Sequence, residues 1–292
     1  MKKYIILPIL LLSLLFTGCD SGNGDPAKDN TPKPSETNSD PGDAGDLEMF
    51  FFEMGKADAF LIYNKKTAIL IDTGEKGQGK DILQYMENNN IASLDYLIIT
   101  HFDQDHVGGA NKVLGNIAVK QIYTSNYPKE SEEYNTFMGR VKEKSIPTTV
   151  LREDISFDIN GIKVEIDAPE REVYEADPSN NSSLIVRITY KDNSFVFMGD
   201  AMSDRIREYI ATDPKSCDVL KMPYHGKFMG CLSELIDKLK PKYAVITSSK
   251  EDKEADETKD LLESANVKLY RTRKGGVHMQ SDGKEISVFQ GA

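Results

Sequence analysis

Four residues with metal-binding side chains lie within six consecutive positions of the sequence: His101, Asp103, Asp105 and His106. Alternate residues of an extended segment point to one side, so His101 and Asp103 are expected to share one metal ion. A tighter turn at the next two ligands directs them toward a second ion, and the Gly-Gly pair that follows lets the chain pass close to both. A solvated polar loop explains a single His or Asp, but not four. The spacing therefore predicts a centre for two metal ions.

The elements that must position this centre are strands alternating with helices. Apolar runs at 60–63, 67–72 and 96–100 predict strands, and the spacing of apolar residues over 79–90 predicts a helix between the last two. The second half of the chain repeats this alternation. Strands followed by helices indicate a layered α/β fold, and its occurrence in both halves predicts an αββα sandwich for residues 47–292.

The N-terminal segment has the features of an export signal. Lys2 and Lys3 precede a short apolar run over 4–16, which is too short to cross a bilayer comfortably. Residues 16–19, Phe-Thr-Gly-Cys, resemble the bacterial lipobox, so we expect cleavage after residue 18 and lipidation of Cys19. A plain signal peptide is the alternative. The lipid predicts an extracytoplasmic protein that is anchored to the bacterial cell membrane without spanning it.

A polar tether and an acidic charge balance limit the partners. Residues 19–46 contain no large apolar side chain and predict a disordered spacer between lipid and domain. The whole chain has a formal net charge of -11. Such a charge disfavours a protein that coats nucleic acid regardless of sequence. No obligate protein partner is indicated, whereas the membrane is expected as a partner through the anchor.

Several segments, in order, resemble the metallo-β-lactamase superfamily, whose signature is HxHxDH. Residues 53–59 are similar to DVGQGDA, 70–74 to LIDTG, and 101–109 to HxDxDHxGG. Further likenesses are 180–184 to NNNSL, Gly199-Asp200 to the GD that ends a central strand, and 221–226 to KxPHHG. These motifs resemble in particular the soluble hydrolase domain of ComEC-type DNA-uptake proteins, over about residues 49–290.

The resemblance implies a set of metal ligands. It assigns His101 and Asp103 to one ion, assigns Asp105, His106 and His225 to the other, and makes Asp200 the bridge. The superfamily's intermediate His has no counterpart, and either Asn180 or Asn181 stands near its place, as a ligand or as a residue that shapes the pocket. Replacing His by Asp or Asn exchanges nitrogen for hard oxygen, which favours Mn²⁺ or Mg²⁺, with Zn²⁺ still open.

The implied activity is metal-dependent hydrolysis of an ester or phosphodiester, with DNA as one candidate substrate. A hydroxide between the ions would attack, Asp105 would orient the water, and Tyr224 could donate a proton to the leaving group. Lys221 is a further catalytic candidate, although it could instead point away from the site. Tyr224 replaces the first His of HHG, Lys227 replaces a Ser, and residues 254–256 replace a His-Pro pair. The substrate can therefore differ from that of the uptake proteins.

Other interpretations stay open. A non-catalytic surface-binding lipoprotein with a degenerate site would explain the missing His, and another ester such as a lactone could be the substrate. β-Lactam hydrolysis fits less well, because HxDxDH is not the pattern of those zinc enzymes.

Four other sequence features invite a chemical interpretation. A single Asp72-Thr73-Gly74 cannot form the carboxylate pair of an aspartic protease, so Asp72 is expected to brace a loop. His278 is expected in a strand, and residues 271–274 in a solvated turn that is also the best candidate for a phosphate-contacting patch. Cys217 and Cys231 could pair or remain buried thiols.

Overall fold

The computed structural model describes residues 45–291, which form fifteen strands and eight α-helices. The predicted signal, Cys19 and all but the last two residues of the predicted tether lie outside the described residues. The strands are β1 Leu47–Phe51, β2 Phe60–Tyr63, β3 Ala68–Ile71, β4 Ser93–Ile99, β5 Ala118–Thr124, β6 Thr148–Val150, β7 Ile155–Ile159, β8 Ile162–Asp167, β9 Ile185–Tyr190, β10 Asn193–Phe197, β11 Val219–Lys221, β12 Tyr243–Ile246, β13 Lys268–Arg271, β14 Val277–Ser281 and β15 Ile286–Gln290. The α-helices are α1 Gly79–Asn88, α2 Gln104–Val107, α3 Ala110–Asn116, α4 Glu132–Lys144, α5 Pro178–Asn181, α6 Ser203–Ala211, α7 Leu232–Leu239 and α8 Asp256–Ser264.

The strands form two mixed sheets. The first has eight strands in the order β15-β14-β1-β2-β3-β4-β5-β6, and the second has seven in the order β13-β12-β11-β10-β9-β8-β7. The chain therefore completes most of one sheet before it begins the other, and returns to the first sheet at its end. Each strand that precedes a candidate ligand has at least one parallel neighbour, as in the pairs β3–β4 and β10–β11.

Three apolar layers hold the sandwich together. Buried side chains from both sheets, including Phe51, Phe60 and Phe197, pack face to face between them. On the outer face of the first sheet, helices α1, α3 and α4 contribute residues such as Ile82 and Phe137. Helices α6 to α8 cover the second sheet in the same way. The predicted αββα sandwich is confirmed, because each sheet buries one face on its partner and the other under helices.

Most predicted elements are present, but strands β6 and β7 were not predicted. Strand β6 has only three residues and is mostly exposed. Strand β7 has the alternating apolar pattern of a half-buried strand, a signal from which it could have been predicted. His278 lies in β14 as expected, and its Nε2 is 2.6 Å from Oε2 of Glu48 on the neighbouring strand. No helix formed by residues 45–291 is long and apolar enough to cross a membrane.

The two cysteines of the domain are buried free thiols rather than a disulfide. Burial raises the pKa of the Cys217 thiol to about 12, so it is protonated and unreactive at neutral pH. Of the two alternatives that the sequence left open, the structure therefore has the buried thiols.

The expectation of a solvated basic turn at residues 271–274 is wrong. Thr272 is fully buried, and the guanidinium groups of Arg271 and Arg273 both contact the carboxylate of Glu254. The sequence could not show this pairing, because Glu254 is seventeen positions away from the first arginine. The single carboxylate offsets one of the two guanidinium charges, so the turn keeps a positive charge and the phosphate-contacting patch stays a prediction.

Candidate metal centre

The candidate ligands converge from loops that follow the ends of adjacent strands. His101 follows β4, Asp105 and His106 lie on the one-turn helix α2, Asp200 follows β10, and His225 lies in a 3₁₀ turn after β11. Strands β10 and β11 are parallel neighbours, and their carboxyl ends therefore deliver Asp200 and His225 to the same edge of the second sheet. The edge of the first sheet supplies the other ligands from across the sandwich.

Four of these side chains form a compact buried cluster: Asp105, His106, Asp200 and His225. One ligand atom from each lies within 4.8 Å of all the others. Asp200 is central, because its Oδ2 is 2.9 Å from His225 Nε2 and 3.4 Å from His106 Nε2. Asp105 Oδ2 is 3.6 Å from the same His225 nitrogen. This set of two imidazoles and two carboxylates suits a divalent transition metal.

His101 and Asp103 form a more open second group beside the first. The ring centroids of His101 and His106 are 4.1 Å apart, and His101 Nε2 is 3.8 Å from Asp103 Oδ1. The same Asp103 oxygen accepts hydrogen bonds from Lys129 Nζ, at 2.7 Å, and from Ser179 Oγ. Asp103 is thus close enough to share an ion with His101, but Lys129 and Ser179 already contact the same oxygen.

Unpartnered polar atoms test whether these residues fit metal ions. Five buried atoms in this region make no hydrogen bond of acceptable geometry among the described residues, although Asp200 Oδ2 is close to two of the nitrogens: His101 Nε2, His106 Nε2, His225 Nε2, Asp200 Oδ1 and Asn180 Oδ1. A buried nitrogen or oxygen without a partner costs about 1–3 kcal/mol, so folds rarely keep several together without a ligand. The residues present therefore fit a metal centre, because the four-residue cluster and the group of His101 and Asp103 both have nitrogen or oxygen atoms available to bind an ion.

Asp72 orients one of the imidazoles from below. Its Oδ2 is 2.9 Å from His106 Nδ1, and its two oxygens accept hydrogen bonds from the backbone N and the hydroxyl of Thr100. This arrangement fixes the ring and leaves Nε2 pointing at the ligand cluster, as carboxylate partners of metal-binding histidines commonly do. The expectation that Asp72 braces a loop, rather than acts as a protease carboxylate, is confirmed.

Asp58 supports a second imidazole through a buried chain of contacts. Thr247 Oγ1 lies 3.1 Å from His225 Nδ1 and donates to Asp58 Oδ1 at 2.6 Å. The other Asp58 oxygen accepts from Lys221, whose ammonium also donates to the carbonyl of Gly199 at 3.0 Å. Both Asp58 and Lys221 are fully buried. Burial raises the pKa of Asp58, although the Lys221 charge works against that rise.

The backbone around His225 adopts a rare conformation. Tyr224 and His225 have φ values of 45° and 52°, in the left-handed region that non-glycine residues seldom enter. Gly199 also has a positive φ, and a Cβ there would come within about 3.1 Å of Thr100 and Ser183 side chains. These positions hold the ends of β10 and β11 close together. Local strain of this kind is concentrated at functional sites.

The electrostatics of the site separate the three histidines. Burial lowers the pKa of His101 to about 4, and the neighbouring His106 adds to the effect. Burial also disfavours charge on His106 and His225, but nearby carboxylates, Asp200 foremost, outweigh it and raise their pKa values. The same histidine charges hold the pKa of Asp200 well below its usual range against its own burial. The network thus keeps Asp200 ionised, and a metal ion that binds there would have to displace the protons that the carboxylates favour on His106 and His225.

The structure places every predicted site residue of the domain, some in roles that the sequence could not specify. Tyr224 is half-buried beside His225, with ring centroids 6.2 Å apart. Lys221 lies below the cluster, 3.8 Å from Asp200 Oδ1 and without solvent exposure, so it acts through Asp58 and Gly199 rather than at an open face. Asn181 is engaged with Ala176 and Arg205, which leaves Asn180 as the amide with a free oxygen.

Sequence reasoning assigned no role to several residues that the structure brings to the site. Asp58 is one, although a lone acid between two small residues is a signal that could have identified it. Lys56 is another, because its Nζ lies 2.7 Å from Asp105 Oδ2. Lys129, Ser179 and Thr247 carry no local signal, since their proximity to the site arises only when distant loops meet.

A sandwich of two sheets with histidines and carboxylates gathered at one edge defines a class of metal-dependent hydrolases. The model of the metallo-beta-lactamase superfamily matches residues 54–248. The chain belongs to this superfamily.

Two curated relatives and one solved structure illustrate the similarity. The chain is 26% identical over 270 residues to ComE operon protein 3 of Bacillus subtilis, covering 84% of this chain and 34% of the relative. It is 27% identical over 203 residues to Recombination protein 2 of Haemophilus influenzae, covering 68% of this chain and 24% of the relative. The chain thus spans about a third or less of these relatives.

The fold is similar to the metallo-beta-lactamase fold protein YhfI from Bacillus subtilis, with a TM-score of 0.52 and 11% identity. That similarity covers 77% of this chain and 95% of YhfI.

Proposed function

We propose that this protein is an extracytoplasmic, lipid-anchored hydrolase that cleaves phosphodiesters, with DNA as a candidate substrate, using two divalent metal ions. The observation that carries the proposal is the group of unpartnered buried ligand atoms on His101, His106, His225 and Asp200. The similarity of the chain to ComE operon protein 3 and to Recombination protein 2 supports phosphodiesters, rather than other esters, as the substrate class.

Ions bound at the site would lower the pKa of water and stabilise charge on a phosphoryl oxygen. Asp105, His106, Asp200 and His225 would hold one ion, and His101 with Asp103 would hold the other, with Asp200 shared and the Asn180 oxygen available. Carboxylate and amide oxygens in this set favour Mn²⁺ or Mg²⁺. The three imidazoles also suit Zn²⁺, so all three metals are candidates.

The chain's own residues would orient the attacking water, protonate the leaving group and hold the metal ligands in place. Asp105 reaches the cluster with one oxygen and can accept a hydrogen bond from an attacking water. Tyr224 is the proposed proton donor to the leaving group, because its ring lies beside that of His225 and its phenol is protonated at neutral pH. Lys221 and Asp72 would fix the positions of the ligands around them.

Two features of the site favour a second candidate function, that of a binding protein without catalytic activity. Asp103 is hydrogen-bonded to Lys129 and Ser179, and the chain offers Asn180 where the superfamily has a histidine. A protein with one weak site or none would be a surface-binding lipoprotein rather than an enzyme. Metal content separates the two, because fewer than one bound ion per chain, after exposure to each metal, favours the binding protein.

The main experiment measures hydrolysis with Mn²⁺, Mg²⁺ or Zn²⁺ added to metal-free protein. The substrates are bis(p-nitrophenyl) phosphate, single- and double-stranded DNA, and a lactone as the competing ester. We expect turnover of the phosphodiesters and its loss in Asp105→Ala. The matched control is Asp158→Ala, which removes an exposed aspartate from β7 and should leave activity unchanged. If no substrate is hydrolysed with any of the metals, the proposal that the protein is an enzyme is refuted. If only the lactone is hydrolysed, the proposal that it is a phosphodiesterase is refuted.

A further inference from the structure

Two lysines contact the metal centre, and neither belongs to the predicted ligand set. Lys56 Nζ lies 2.7 Å from Asp105 Oδ2, and Lys129 Nζ lies 2.7 Å from Asp103 Oδ1. Both lysine side chains are partly exposed, at 39% and 37%, whereas the lysine that serves the buried network, Lys221, is fully buried. Lys56 and Lys129 are therefore the cations of the site that a molecule in solution can reach.

The two lysines contact ligands of different groups. Lys56 contacts Asp105 of the four-residue cluster, and Lys129 contacts Asp103 of the second group beside it. An ammonium group has three donors, so each lysine can keep its bond to a carboxylate and still bind a second anion. A substrate that reaches both groups of ligands would therefore meet one ammonium group at each.

A cavity extends the site beyond Lys129. Its volume is about 510 Å³, and its wall includes Asp103, Lys129 and Asn180 together with the ring of Tyr127. The two larger cavities, of about 740 and 610 Å³, include none of the candidate metal ligands. A half-buried aromatic ring beside a lysine is the pairing with which proteins bind a base and its phosphate in a single nucleic-acid strand.

We propose that Lys56 and Lys129 bind the phosphates on either side of the scissile one, and that the Tyr127 cavity receives the adjoining base. The proposal rests on the proposed function and narrows its substrate to a single-stranded nucleic acid rather than an isolated diester. The acidic domain repels such a strand elsewhere, so the two lysines concentrate attraction at the site itself.

The test compares two substrates in the full chain loaded with the most active metal. One is a single-stranded oligonucleotide of about ten nucleotides, and the other is bis(p-nitrophenyl) phosphate, which has only one phosphate. The variants are Lys56→Gln, Lys129→Gln and the double variant. Lys163→Gln is the matched control, because Lys163 is 45% exposed and its Nζ also lies 2.7 Å from a carboxylate, that of Glu165. Metal content is measured for every variant.

We expect the double variant to raise the KM for the oligonucleotide at least about tenfold, with a much smaller change for bis(p-nitrophenyl) phosphate. The slope of log kcat/KM against log salt should decrease by about 0.7 for each lysine removed, as for phosphate contacts to a single strand. The control should keep the wild-type slope, and all variants should bind metal as wild type does.

Equal losses on both substrates, or an unchanged oligonucleotide KM, would overturn the assignment of the lysines. Wild-type turnover of bis(p-nitrophenyl) phosphate without turnover or binding of the oligonucleotide would also overturn it, while the proposed phosphodiesterase would stand. Binding is followed by fluorescence anisotropy of a labelled oligonucleotide, so the inference is decided even if wild type turns over neither substrate. In that case the proposed function fails, and salt-sensitive binding that depends on both lysines would still support their role.

Discussion

His106 Nδ1 lies 2.9 Å from Asp72 Oδ2, and this contact joins the end of β3 to helix α2 below the candidate metal centre. Two hydrogen bonds from Thr100 hold the same carboxylate, so the imidazole cannot turn without breaking a buried network. The Nε2 atom is left without a partner and faces Asp200. Asp72 thus selects which nitrogen of His106 is offered to a metal.

The first prediction concerns this contact. Replacing Asp72→Asn keeps the shape of the side chain but removes the negative charge that orients His106, and we expect metal affinity to fall about 10–100-fold. Competition with a chelator measures the affinity. Asp95→Asn is the control, since Asp95 is also a largely buried carboxylate but pairs with Lys120 away from the ligands. Equal affinity in Asp72→Asn and wild type would contradict the role given to Asp72.

The second prediction concerns the buried pair of Asp58 and Lys221. Lys221→Met leaves the Asp58 carboxylate buried without its cation, and we expect the free energy of unfolding to fall by about 3–5 kcal/mol. Urea denaturation measures it. The double variant Asp58→Asn/Lys221→Met should lose less than the sum of the single variants, because neither charge is then isolated. Lys76→Met, which removes an exposed ion pair with Glu132, should change stability by less than about 1 kcal/mol. Strictly additive losses would mean that the two charges do not stabilise each other.

The third prediction tests Tyr224 as the proton donor. Tyr224→Phe removes the hydroxyl and keeps the ring beside His225, so we expect kcat on an alkyl phosphodiester to fall about 10²-fold or more with little change in KM. The loss should be much smaller for bis(p-nitrophenyl) phosphate, because p-nitrophenolate is a stable leaving group that needs no proton. The two substrates therefore act as each other's control. An equal loss on both would assign Tyr224 to positioning instead.

The fourth prediction is a pH dependence of stability at Glu254. Burial disfavours its charge, but hydrogen bonds from Arg273 and Arg271 outweigh burial and lower its pKa to about 2 from the ordinary 4.5. Since the folded-state pKa is the lower one, ionised Glu254 stabilises the fold above pH 4.5, and this contribution is lost as the pH falls toward 2.

Glu254→Gln should therefore lower the free energy of unfolding by about 2 kcal/mol at pH 7, a value reduced by solvent screening of the partly exposed arginines. Chemical denaturation of both proteins across this pH range measures the difference, which should shrink toward zero at the acidic end. A difference that stays constant with pH would show that packing, rather than charge, is responsible.

The fifth prediction concerns the proposed anchor, which lies outside the described residues. Cys19→Ser removes the thiol that would carry the lipid, so the protein should move from the membrane fraction to the soluble fraction on cell fractionation. A replacement of a neighbouring tether residue, Ser21→Ala, should leave it in the membrane fraction. Retention of Cys19→Ser in the membrane after a high-salt wash would point to another mode of attachment.

The sequence by itself determined the kind of fold and most of the candidate ligands. Periodicity predicted the alternation of strands and helices, because burial of one face is encoded locally in each element. The close spacing of His101 to His106 predicted a metal centre for the same reason, since a six-residue segment has few ways to direct its side chains. Asp200 and His225 required a resemblance to a known superfamily, because nothing local ties them to that segment.

Only the tertiary structure decided which polar groups support the ligands and which cations face the solvent. Lys56 and Lys129 reach the carboxylates of the site, Lys221 is buried on Asp58, and Arg271 and Arg273 are paired with Glu254. All are basic residues, and composition cannot distinguish them. Their charges are assigned to partners by contacts between distant loops, and such contacts exist only once both sheets have packed.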